Sequence, residues 1–78
     1  MPYYVYIIYS LSRDKYYIGQ TENIEQRVTQ HRTGKNMGAT DWEIKYKEKY
    51  DNRPDAVKRE QQIKRKKSRN YIEYLLKQ

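Results

Sequence analysis

The most apolar stretch is Tyr3–Ser10, Tyr-Tyr-Val-Tyr-Ile-Ile-Tyr-Ser. Its β-branched and aromatic side chains predict a buried strand. Ser12 and Asp14 are turn formers, and Lys15–Thr21 follows as a second strand, so the two read as an antiparallel hairpin. Gly19 ends the apolar part of that strand, and its missing Cβ predicts a bulge or a close approach. Asn23 suits a helix N-cap with Gln26 three residues on. Ile24, Arg27, Val28 and His31 then recur at helical spacing until Gly34 offers a stop. Residues 33–41 hold Gly34, Asn36 and Gly38 and read as a polar loop of the kind that touches ligands. From Glu43 to Tyr50 the chain alternates, with Ile44, Tyr46, Glu48 and Tyr50 on one side and Glu43, Lys45, Lys47 and Lys49 on the other. That pattern predicts a half-buried edge strand whose lysines discourage pairing with another chain. Pro54 stands just inside a second helix that continues through Ala56, Val57, Glu60, Ile63 and Lys64. Ser68 caps a last helix carrying Tyr71, Ile72, Leu75 and Leu76. The order strand, strand, helix, strand, helix, helix predicts an α+β fold, a small three-stranded antiparallel sheet flanked by helices.

Composition tightens this picture. The 78 residues, 35% of them charged, leave room for one domain over 1–78 with a thin core. Ten Tyr and no Phe mean that the aromatic mass carries hydroxyls that must meet solvent, find partners or do chemistry. Cysteine is absent, which excludes disulfides, thiolate metal sites and thiol nucleophiles and suits a cytoplasmic address. No apolar run is long enough to span a membrane, and the opening Met-Pro-Tyr-Tyr lacks the features of a signal peptide.

Seventeen Lys and Arg against ten acids give a net charge of +7, which points to polyanions as partners. The excess is uneven: residues 1–39 carry five bases and three acids, residues 40–78 twelve and seven. Seven of those bases lie between Lys58 and Arg69, around the single acid Glu60.

With one His and no Cys, catalytic options are few. A Ser-His pairing would have to use His31 with a serine that lacks a nucleophile elbow, and the ligand spacings of a zinc site are missing. Hydroxyl, guanidinium and carboxylate groups remain, a set suited to phosphoryl transfer with a hard metal ion.

Val5-Tyr6-Ile7, followed about ten residues later by Tyr17-Ile18-Gly19, resembles the paired motif of the GIY-YIG nuclease superfamily, with Val5 in place of the first glycine. Thr21, Asn23, Arg27 and His31, then Gly34, then Glu60 with Lys64, extend the resemblance to the small stand-alone bacterial members, over Tyr4 to about Leu76. The resemblance implies metal-dependent endonucleolytic hydrolysis of phosphodiesters in DNA. In that reading Tyr6 deprotonates the attacking water or relays its proton, which requires positive charge from Arg27 or the metal to favour the phenolate. Arg27 forks onto the phosphate, Glu60 holds Mg²⁺ or Mn²⁺, and Tyr17 and His31 orient water and phosphate. Tyr6 and Tyr17 fall on adjacent strands and Arg27 and His31, four apart, on one helix face. Beside Val5, one further departure qualifies the match. Gln20 stands where some relatives carry lysine, so help from a cation there is missing or comes from Lys15, Lys35 or Lys64, whereas Asn70 falls near an asparagine that some relatives keep beside the metal.

Taken singly, these residues have plainer readings: Tyr6 and Tyr17 as core tyrosines, Arg27 as solvated, His31 as a helix-end group, Glu60 as one side of an exposed ion pair worth under about 1 kcal/mol. At the family's order and spacing they read together as a site. Lys35, Lys64, Arg65, Lys67, Arg69 and Asn70 are the expected nucleic-acid contacts, Trp42 belongs to the core, and any sequence selection falls to the loop from Asn36 to Trp42 or to a protein partner. Two other classes stay open: a module of the same fold that binds nucleic acid without cutting it, and a basic scaffold docking on an acidic protein.

Overall fold

The computed structural model describes residues 2–33, 41–66 and 68–77, leaving aside the side chain of Arg32. The elements follow the expected order: β1 (Tyr3–Ser10), β2 (Lys15–Thr21), α1 (Ile24–Thr33), β3 (Trp42–Tyr50), α2 (Arg53–Lys66) and α3 (Arg69–Leu76). The strands form one antiparallel sheet in the order β2-β1-β3.

β1 lies in the middle, which is why its sequence is apolar without alternation: Val5, Tyr6, Ile7 and Ile8 are all buried. The pleat sends Tyr6 and Ile8 to one face, where Ile24 and Val28 of α1 and Trp42 cover them. Val5 and Ile7 go to the other face, under Ala56 and Ile63 of α2 and Leu75 of α3. Each helix begins on a side-chain cap, with the Gln26 amide donating to Asn23 Oδ1 at 3.0 Å, Asp55 to Asn52 Oδ1 at 2.9 Å, and Tyr71 to Ser68 Oγ at 3.3 Å. Pro54 falls in the first turn of α2, where its missing N–H costs no helical hydrogen bond.

The alternation read for β3 needs correction. Tyr46 pairs with Ile7 but Ile44 pairs with Ile8, so Lys45 is an extra residue in a β-bulge. A one-residue insertion reverses which face the following side chains use. Tyr46, Glu48 and Tyr50 therefore lie across from Tyr3, Val5 and Ile7 on the α2 face, whereas Ile44 and Trp42 turn to the α1 face. Trp42, only 2% exposed, closes that core as expected, and Ile44 stays 39% exposed.

Glu48 anchors the α2 face. It accepts hydrogen bonds from Tyr46 and from Tyr50 (2.6 Å), and from Arg59 Nε and Nη2 at 2.9 and 3.1 Å, while Arg59 Nη1 donates to Tyr71 at 3.2 Å. These contacts hold the Glu48 carboxyl below its ordinary range despite partial burial, and burial with the neighbouring carboxylate pushes Tyr50 up to about 12. The polar loop and its residues Gly34, Lys35, Asn36, Met37 and Gly38, like Lys67, lie outside the described residues. Among the described residues no helix is long and apolar enough to cross a membrane.

Candidate active site around Tyr6

Tyr6 stands mid-strand in β1, opposite Gly19 of β2. Tyr17, two residues before Gly19, is the diagonal neighbour on the same face, and the two rings lie 6.3 Å apart. A Cβ on Gly19 would come 2.6 Å from Tyr6 Oη, 2.8 Å from Tyr6 Cζ and 3.1 Å from Tyr17 Cε1. The close approach expected at Gly19 is thus made by a phenol of the adjoining strand, lying where any other residue would place its side chain.

α1 completes this face. His31 Nε2 is 3.2 Å from Tyr6 Oη, and its ring is 4.8 Å from that of Tyr17. Burial and the Arg27 guanidinium push the His31 pKa below its ordinary value, so the ring is neutral at pH 7. Tyr6 is 1% exposed. Its burial, then Tyr17 and more weakly Glu60, drive its pKa upward, while Arg27 pulls the other way without prevailing. Two results follow. The charges of Arg27 and Glu60, from helices on opposite faces of the sheet, both act on this phenol. And Arg27 alone does not make Tyr6 a resident phenolate, which leaves the metal as the other source of positive charge expected from the sequence.

Glu60 extends from the middle of α2, whose contacts run across β1 and β2. Its side chain is 16% exposed, and Oε2 accepts from Lys64 Nζ at 2.7 Å, one helical turn on. Among the described residues no three His, Cys, Asp or Glu side chains gather at metal-binding spacing. A lone carboxylate does fit Mg²⁺, which keeps most of its waters and takes substrate phosphate oxygens as further ligands.

Beside Arg27, the end of β2 and the start of α2 enclose a cleft of about 210 Å³ lined by Tyr3, Gln20, Thr21, Glu22, Arg27 and Arg53. Among the described residues, the cations lining the cleft with Gln20 are therefore Arg27 and Arg53. Lys15 and Lys64 line a different cleft, with Asp14, Tyr16 and Arg69. Arg53 was not among the residues singled out from the sequence. The signal was its position seven residues before Glu60, two turns along one helix face.

The basic run is divided by helical pitch, since successive residues point about 100° apart. Lys64 faces Glu60, whereas Arg65 and Lys66 flank a cleft with Arg59 and Tyr71. Arg69 is held by Asp14 at 2.6 Å and lies over the Tyr16 ring at 5.3 Å, tying α3 to the β1–β2 turn. Arg69 and the Tyr9 hydroxyl hold the Asp14 carboxyl down at about 2. Asn70 is exposed in the first turn of α3.

The chain and its fold are similar to known proteins. Residues 2–73 match the family model described as the GIY-YIG catalytic domain. A UPF0213 protein of Natronomonas pharaonis is 35% identical over 66 residues, covering 80% of this chain and 76% of that protein. The solution NMR structure of a UPF0213 protein from Bacillus halodurans superposes with a TM-score of 0.63 at 25% identity, covering 99% of this chain and 84% of that one. Fold, paired motif and family model agree: the chain belongs to the GIY-YIG family of nucleases.

Proposed function

We propose that this single domain is a metal-dependent endonuclease that hydrolyses phosphodiester bonds in DNA, with Tyr6, Tyr17, Arg27, His31 and Glu60 as its site. The observation that carries this reading is the Tyr6 phenol itself. It is buried over Gly19, hydrogen-bonded to a neutral imidazole, and acted on by one guanidinium and one carboxylate from different helices.

A phenol with a raised pKa suits a relay better than a standing base. In the tautomer with the ring proton on Nδ1, His31 Nε2 accepts the Tyr6 proton as Tyr6 Oη accepts one from water. The water oxygen then bonds to phosphorus, the bond to the leaving oxygen breaks, and that oxygen takes up a proton from solvent as His31 releases to solvent the one it received. Arg27 offsets charge on the phosphate, a contribution of about 3 to 4 kcal/mol at comparable sites. Tyr17, packed on His31, fixes the ring that receives the proton. Glu60 would hold Mg²⁺ or Mn²⁺, which when bound stabilises negative charge on the phosphate and leaving oxygens. Lys64, Arg65, Arg69 and Asn70 supply the salt-sensitive grip on nucleic acid.

A second reading has one observation in its favour. Lys64 already neutralises Glu60, as expected of a module that keeps the fold and binds nucleic acid without cutting it. Plasmid and single-stranded DNA incubated with Mg²⁺ or Mn²⁺ separate the two. The nuclease reading predicts cutting that Glu60→Ala abolishes. Equal product from wild type and Glu60→Ala, or none from either, leaves the binding module.

A further inference from the structure

We infer that the cleft between Arg27 and Arg53 is a second phosphate site, which holds a nucleic-acid phosphodiester next to the one being cut; this rests on the nuclease reading above for the role of Arg27.

The cleft joins the end of β2 to the first turn of α2, and both guanidiniums line it. Both side chains are exposed, and neither has an ion-pair partner among the described residues. Two guanidiniums around about 210 Å³ repel one another unless an anion lies between them. The position of Arg53 is not explained by helix stability, because the macrodipole disfavours a cation in the first turn. Acids usually stand there, and Asp55 does so in this helix.

Glu22 on the rim offsets one of the two positive charges, leaving one. That balance suits the single negative charge of a phosphodiester better than the double charge of a terminal phosphate. The Gln20 amide lines the same space and can donate to a non-bridging oxygen, while Thr21, whose hydroxyl donates to the Asn23 carbonyl, fixes the wall beside it. The cleft also lies on the right line. Arg53 and Glu60 share one face of α2, two turns apart, so about 10 Å of helix axis separates this site from the carboxylate acting on Tyr6. A strand laid along that face would place one phosphate at the Tyr6 site and a neighbouring one between the two arginines. Arg53 is then a binding residue that fixes strand register, not a catalytic one.

The test uses fluorescence-anisotropy titrations of a labelled DNA duplex over a range of salt, in Ca²⁺ to prevent turnover, with single-turnover cleavage in Mg²⁺ alongside. Arg53→Gln should lower the slope of log K against log salt by roughly 0.7 to 0.9, the value for one lost phosphate contact. It should raise the half-saturating DNA concentration several-fold and change the saturated cleavage rate less than twofold. A methylphosphonate that removes one flanking charge should weaken wild type but not Arg53→Gln. A wild-type slope for Arg53→Gln, or equal sensitivity of both proteins to every methylphosphonate position, overturns the assignment and leaves the nuclease reading standing. Wild type that binds with the expected slope dependence yet never cuts overturns the nuclease reading and leaves Arg53 as a phosphate contact. Failure of wild type to bind DNA overturns both. Arg53→Lys keeps the charge and should keep the slope, which separates loss of charge from loss of fold.

Discussion

Gly19 is where local chemistry is most constrained. No side chain fits there while Tyr6 keeps its place, because the first added carbon would meet the Tyr6 hydroxyl at 2.6 Å. Gly19→Ala must therefore push the phenol off His31 Nε2, at a cost of about 1 to 3 kcal/mol, typical of an overpacked site. Urea denaturation should show that loss, and cleavage should fall more steeply than stability does. The titrating groups give a second test. His31 is depressed in the folded state, so the unfolded chain takes up its proton first, and stability is lost as pH falls from about 6.5 through the folded value. Tyr6 and Tyr50 are raised, so their contribution is intact below the ordinary phenol value of 10.0 and is lost as pH rises beyond it. Urea midpoints across pH should show both limbs. His31→Gln should flatten the acid limb and Tyr6→Phe should reduce the alkaline one.

At the level of elements, β3 shows what periodicity carries and what it loses. Its existence, its edge position and the inward turn of Tyr46, Glu48 and Tyr50 follow from alternation with lysine. The bulge at Lys45 does not, because a bulge is set by how the strand meets its partner, and Lys45 looks like any other outward lysine. Deleting Lys45 would remove the bulge yet leave Ile44 opposite Ile8 and Tyr46 opposite Ile7, so Trp42 and Ile44 should keep the α1 face and the fold should survive. Trp42→Ala, by contrast, should cost about 3 to 5 kcal/mol, the scale of losing a buried tryptophan, read from urea unfolding followed by circular dichroism. The helices were more legible. Their caps Asn23 and Ser68 and the early Pro54 are short-range signals, and each serves as its sequence suggests.

Over the whole molecule, the candidate site draws on four elements, β1, β2, α1 and α2, and on both faces of the sheet. Tyr6, Tyr17, Arg27, His31 and Glu60 are recognisable in sequence only as an ordered set, since each alone has a commoner structural reading. Their proximity depends on α2 reaching the β2 side of the sheet, which no local pattern encodes. For the same reason the sequence points to lysines near Gln20 or near Glu60 as its cationic neighbours, whereas among the described residues the fold supplies Arg53. The basic run from Lys64 onward likewise looks continuous as text, yet helical pitch divides it between two clefts.

The most direct test is single-turnover cleavage of end-labelled duplex, branched and single-stranded DNA in Mg²⁺, comparing wild type with Tyr6→Phe at saturating enzyme. The relay predicts that wild type cuts at least one of these forms and that removing one hydroxyl slows it by about 10² or more while binding is unchanged. Wild-type rates from Tyr6→Phe would contradict the account, as would the absence of any wild-type product.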